Sequence, residues 1–119
     1  MLDKIEEGII LYDIELNSCR NGVYTDEIVN GTIYNEIIRK REDQGNTEDI
    51  VGIYDCEYFD PLNKVISGTL VIKPWNGLKK TYAFEWYRPN EKVARFTGVG
   101  FKMNPQQIAV HYKTNKLVI

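Results

Sequence analysis

One histidine and two cysteines among 119 residues leave little for metal chemistry. Cys19 and Cys56 are widely separated and form no Cys-x-x-Cys, which excludes a closed zinc set and a redox dithiol motif. A carboxylate-only site would lack the loop spacing that hard cations require. No metal and no cofactor are therefore expected. Two cysteines are also too few for a disulfide scaffold, and reduced thiols are the expectation. No apolar run approaches the roughly 18 residues of a membrane span. The opening Met1-Leu2-Asp3-Lys4-Ile5-Glu6-Glu7 is acidic and mixed, unlike a secretory leader. The expected location is the cytoplasm, the alternative being a leader already removed, and no membrane contact is expected. Phosphate loops are missing as well, because Gly98-Val99-Gly100 sits inside a strand pattern rather than ahead of a helix. Ser18 and Ser67 lie in no nucleophile elbow and have no histidine nearby in the sequence.

What the chain does have is core-forming material and sorted charge. Its length suits a single domain over 1–119, and 43% apolar with 12% aromatic residues is enough to bury a core. Residues 1–60 carry fifteen acidic and five basic side chains, a net −10; residues 61–119 carry two and ten, a net +8. The formal −2 of the whole conceals two opposed halves. Such a split marks either an electrostatic partner or two complementary parts of one fold. It also allows head-to-tail or two-fold pairing of subunits as a homo-oligomer.

The second half reads as successive strands. Lys64–Lys73 alternates Ile66, Gly68, Leu70 and Ile72 with Val65, Ser67, Thr69 and Val71. Thr81–Tyr87 puts Tyr82, Phe84 and Trp86 on one face; Lys92–Lys102 and Gln107–Tyr112 continue the period of two. Asp60-Pro61, Trp75-Asn76-Gly77, Pro89-Asn90 and Asn104-Pro105 supply turn chemistry between them. Short connections between consecutive strands favour an antiparallel meander.

The first half offers a strand over Gly8–Leu16, a turn at Asn21-Gly22, and two further runs around Asn30-Gly31. The hairpin reading has a rival. Ile33, Tyr34, Ile37 and Ile38 fall on a helical stripe, with Glu36, Arg39, Lys40 and Glu42 on its solvent side, so a helix over 33–42 is the alternative. The hairpin reading gives eight strands, near 8–17, 22–29, 32–40, 49–59, 64–73, 79–88, 92–102 and 106–113. The expected fold class is mainly β: an antiparallel meander forming a small barrel or a strongly curved sheet. Glycines 52, 68, 98 and 100 would mark its bends.

Gly52-Ile53-Tyr54, Ser67-Gly68-Thr69-Leu70-Val71-Ile72, Tyr82-Ala83-Phe84-Glu85-Trp86, Gly98-Val99-Gly100-Phe101 and Ile108-Ala109-Val110-His111-Tyr112 form a repeated meander pattern. Over residues 51–112 it resembles small bacterial lipocalin-like and avidin-like proteins, calycin-like β-barrels. The lipocalin signature begins Gly-x-Trp, where this chain has Tyr54. The resemblance implies either a ligand cavity or a protein-binding outer face.

Candidate binding residues come from the basic half. Tyr82, Phe84 and Trp86 form an aromatic stripe that would fill a core or line a cavity. Glu85 stands between Phe84 and Trp86 and, through the Pro89-Asn90 turn, level with Arg95; the two are expected to form a cross-strand ion pair or a polar anchor for a ligand. Trp75, in a Pro-Trp-Asn-Gly turn, is the candidate partner-binding residue. Asp13 with Glu15, and Asp55 with Glu57, pair on strand faces, where a solvated outer face is the expectation and acid–base work the alternative. His111 should face away from Val110 and Tyr112. A groove of Lys/Arg with Trp75, Tyr87 and Phe101 would suit single-stranded nucleic acid, but a pI near 5.4 and the acidic half argue against that partner. The expected function is a non-catalytic binding module for a protein partner or a small apolar ligand. The alternatives are an enzyme using carboxylates in a barrel cavity and a small inhibitor or immunity-type protein with an acidic contact face.

Overall fold

A computed structural model describes residues 6–26, 33–41, 49–59, 62–76 and 80–118. Eight strands follow one another: β1 (Glu7–Glu15), β2 (Ser18–Asp26), β3 (Tyr34–Lys40), β4 (Gly52–Phe59), β5 (Val65–Pro74), β6 (Thr81–Tyr87), β7 (Phe96–Asn104) and β8 (Gln107–Thr114). Each pairs antiparallel with its neighbours, and β8 pairs back onto β1 with Ile10 opposite Val110. The meander is therefore a closed barrel rather than an open curved sheet. Closure removes the free edges that would otherwise invite pairing with other chains.

Side chains alternate in and out along the walls, interrupted by bulges at Asn21 in β2 and Met103 in β7. Tyr12, Tyr54, Leu70, Ile72, Phe84, Ile108 and Val110 are all fully buried inside. The segment 33–42 forms no helix where it is described: residues 34–40 are β3, paired with β2 at Tyr34–Tyr24 and with β4 at Ile38–Cys56. The helical stripe fails because Ile33 and Ile37 are exposed while Tyr34, Glu36 and Ile38 turn inward. Period two wins over period 3.6.

The first turn also differs from expectation. It lies at Leu16-Asn17, both in the left-handed region (φ 50° and 62°), a tight hairpin link between Glu15 and Ser18. Asn21-Gly22 lies within β2 instead. Gly22 faces inward opposite Tyr12, and a β-carbon there would come within 2.6 Å of the Tyr12 ring. The glycine makes room for a tyrosine.

The barrel ends differ. At the end formed by the close of β3 and the start of β4, Ile50 plugs the interior at 0% exposure. Asp49 clasps it in place. Its carboxylate accepts from Lys102 Nζ (2.9 Å), from Tyr82 Oη and from the Ile50 N–H (2.8 Å). Lys40 Nζ donates to the Asp49 carbonyl (2.7 Å), and Tyr54 Oη donates to the Ile50 carbonyl (2.7 Å). Burial pushes the Asp49 carboxyl up, but these hydrogen bonds outweigh it and hold it below its ordinary value.

β1–β4 come from the net-negative half of the sequence and β5–β8 from the net-positive half, so among the described residues the two halves form opposite sides of the barrel. Among the described residues, no helix is long and apolar enough to cross a membrane.

Candidate functional site at the Arg88 end of the barrel

Among the described residues, β3 carries the one acidic side chain that is fully buried. Tyr34, Glu36, Ile38 and Lys40 share a face by strand periodicity, and that face is the interior. Glu36 is 1% exposed. Two neutral donors reach it: Tyr12 Oη on one carboxylate oxygen and Trp86 Nε1 on the other, at 3.0 Å. Both donors are set by stacking, since the Phe84 ring lies between Tyr12 (centroids 5.9 Å apart) and Trp86 (5.8 Å). Burial drives the Glu36 carboxyl up to about 7, against the pull of those two hydrogen bonds. The same burial, with the neighbouring carboxylate, holds the Tyr12 hydroxyl well above its ordinary value, so Tyr12 stays a donor.

From Glu36 a narrow crevice leads out at the barrel end opposite Ile50. Tyr24, Tyr58, Phe59, Trp86, Phe96 and Tyr112 form its aromatic walls; Glu6, Ile10 and Arg88 complete it. The rings meet largely edge to face around Tyr112: Trp86 at 6.1 Å, Phe96 at 6.0 Å and Tyr24 at 6.4 Å. The free space is about 30 Å³, enough for one or two water-sized groups. Ligand cavities that engulf a whole small molecule run to roughly 300–1,000 Å³. At this end Arg95 Nε, outside the crevice, and two atoms of the crevice lining, Tyr58 Oη and Arg88 Nε, are buried without a hydrogen-bond partner among the described residues. Buried polar groups are rarely left so, and the two donors of the lining mark a place where an acceptor is missing.

The residues singled out from the sequence are dispersed. Trp86 lines the crevice. Phe84 lies in the middle of the core, and Tyr82 is at the far end bound to Asp49. Glu85 and Arg95 do not meet. Glu85 stands opposite Thr97 on the outer wall, ion-paired with Lys73 (2.9 Å) and accepting from Tyr87 Oη (3.2 Å). Arg95 lies ahead of β7 and grips Glu91 with both carboxylate oxygens (2.9 and 3.0 Å). The turn between β6 and β7 is longer than two residues, which places Arg95 beyond the ladder. Glu85 is thus no anchor within the aromatic stripe, because it points out where Phe84 and Trp86 point in. Asp13, Glu15, Asp55 and Glu57 are exposed, and His111 sits outside, 3.3 Å from Glu7. Trp75 is 37% exposed and borders an outer groove with Glu85, Val99 and His111.

Sequence reading missed Glu36: the alternative helix put it on the solvent side, and the strand reading did not single it out. The signal was present in the strand reading, where Tyr34-x-Glu36-x-Ile38 places a carboxylate between two apolar neighbours on one face. Among the described residues no group of histidines, cysteines and carboxylates is arranged to hold a metal. Compared with protein-family models, curated proteins and solved structures, the chain finds no match.

Proposed function

We propose that the protein is a non-catalytic binding module that receives the tip of a small ligand in the crevice at the Arg88 end. The observation that carries this reading is the buried Glu36 carboxylate, which reaches an aromatic crevice where Tyr58 Oη is buried and unpartnered. The calycin-like resemblance implies either a ligand cavity inside the barrel or a protein-binding outer face. The packing of Tyr12, Phe84 and Leu70 favours a ligand that only inserts an end. Catalysis gains no support, since about 30 Å³ leaves no room for a reacting centre beside Glu36. The buried free thiols Cys19 and Cys56 suit a cytoplasmic location.

The indole N–H of Trp86 donates to Glu36 and reports directly on this site, while Trp75 lies beyond the far end of β5 and serves as a control. Titrating four-carbon amines, alcohols, amides and carboxylates into ¹⁵N-labelled protein should shift the Trp86 indole resonance and leave that of Trp75 in place. A panel that moves neither resonance removes the reading.

A second reading, a protein partner, draws on the outer wall. Phe101, Ala109, Leu11 and Val23 stand in one cross-strand row over β7, β8, β1 and β2; Val99 and Ile9 lie in the next. Phe101 and Ile9 are each 56% exposed. This apolar face straddles the β8–β1 seam, where the acidic wall meets the basic one. A two-fold axis along the seam sets each acidic wall against its partner's basic wall, the arrangement an isologous dimer needs. Sedimentation velocity at low salt should show a concentration-dependent dimer. Leu11→Glu should return it to monomer at little cost to folding, because the side chain is exposed. A native chain that stays monomeric at hundreds of micromolar sinks this reading.

A further inference from the structure

The crevice has an acceptor at its floor, unpartnered donors near its mouth, and π-faces between. We infer that it takes a small primary-ammonium ligand bearing an acceptor oxygen a few bonds from the nitrogen, the class of ω-amino acids and amino alcohols. This rests on the crevice being a ligand site at all.

Three features select the ammonium. A carboxylate offers about four lone-pair sites, and only two on Glu36 are used, both by neutral donors. Buried carboxylates are ordinarily matched by a cation, and among the described residues none is in contact with the group. The approach is lined by Trp86, Tyr112 and Phe96, whose ring faces attract a desolvated cation. Size then narrows the class. Space for one or two water-sized groups admits a primary ammonium and its first methylene and excludes a trimethylated one.

The other end of the ligand follows from Arg88 and Tyr58. The guanidinium stands beside the Tyr58 hydroxyl and donates toward its oxygen, while Arg88 Nε and the Tyr58 O–H find no acceptor among the described residues. An ammonium alone would be repelled by Arg88 and would leave both donors unmet. A carboxylate or hydroxyl oxygen on the same ligand satisfies both and turns the arginine from an obstacle into a contact. The alternative polarity, a simple carboxylate held by Arg88, leaves the spare lone pairs of Glu36 facing an apolar chain.

The test uses 4-aminobutyrate, n-butylamine and butyrate as probes, read by the Trp86 indole resonance and by calorimetry. The expected order is 4-aminobutyrate tightest, butylamine at least fivefold weaker, and butyrate without saturation. Glu36→Gln is isosteric: its amide oxygen still accepts from Trp86, and its amide nitrogen donates to Tyr12 Oη. It should therefore fold and lose at least tenfold in 4-aminobutyrate affinity. Arg88→Met should bring 4-aminobutyrate down to the affinity of butylamine, so a folding defect in one variant leaves the other decisive. Butyrate binding as well as 4-aminobutyrate, or affinity unchanged in both variants, overturns the ligand class. In that case saturable binding of butyrate at Trp86 still upholds the crevice as a site. Silence from every probe overturns the site reading along with the class.

Discussion

Phe84→Ala should cost about 3–5 kcal/mol of folding free energy, the range for deleting a fully buried aromatic ring from a packed core. Phe84 is 0% exposed and stacks nearly parallel to Tyr12 (interplanar angle 2°) and at 23° to Trp86. Its opposite wall is equally tight: a β-carbon on Gly100 would lie 3.0 Å from the Phe84 ring, so the backbone cannot move in without rebuilding the β7–β8 ladder. The void would stay, and its cost with it. The loss also reaches the site. Tyr12 and Trp86 donate to Glu36 from orientations that Phe84 holds. In the alanine variant both rings gain freedom, the two hydrogen bonds loosen, and the Trp86 indole resonance should broaden and move. Urea unfolding followed by Trp86 fluorescence measures the first effect and the NMR spectrum the second. A loss under about 1 kcal/mol would mean that the neighbouring rings collapse into the space, and that Phe84 is filler rather than support. Phe84→Leu, which keeps most of the volume, should lose much less and keep the indole resonance near its native position.

The sequence carried the barrel more plainly than it carried the site, for a physical reason. Strand periodicity is written in apolar residues, and in β5, β6 and β8 every inward position is apolar or glycine apart from Thr114. In β3 the same period is written with Tyr34, Glu36, Ile38 and Lys40, and the polar members disguise it. Of the isoleucines that suggested a helix, Ile33 and Ile37 are exposed and Ile38 is buried. Turn chemistry misled in the same way at Asn21-Gly22. A glycine needed for space beside Tyr12 looks the same in one sequence as a glycine needed for a turn. The Asp49 clasp was legible only as a polar loop, because its partners Lys40, Tyr82 and Lys102 come from three different strands. The Glu85–Arg95 pairing failed on register. It assumed a Pro89-Asn90 turn directly after Arg88, whereas β7 begins only at Phe96.

Glu36 should also make the protein less stable as pH rises from 5 to 8, against the usual behaviour of buried acids that are ion-paired. Its carboxyl titrates near 7 in the fold and near 4.5 when the chain is unfolded. The native state therefore binds the extra proton between those values, and stability falls with pH wherever the native state holds more protons. The contribution is present in full below about 4.5 and is lost as pH rises through about 7. The whole excursion is on the order of 3 kcal/mol. Groups around Glu36 leave this window clear. Tyr12 from β1 and Cys56 and Tyr58 from β4 are all pushed upward by burial, so they stay protonated throughout. Asp49 works in the opposite sense, since its carboxyl lies below the ordinary value, and its stabilisation is lost only in strong acid. Urea midpoints at pH 5 and pH 8 should therefore differ clearly in the native protein and hardly at all in Glu36→Gln, which has no proton to exchange. A slope that survives in Glu36→Gln would place the titration elsewhere. An ammonium ligand should reverse the trend: it needs the ionised carboxylate and so stabilises the fold most at pH 8, where Glu36 alone costs most.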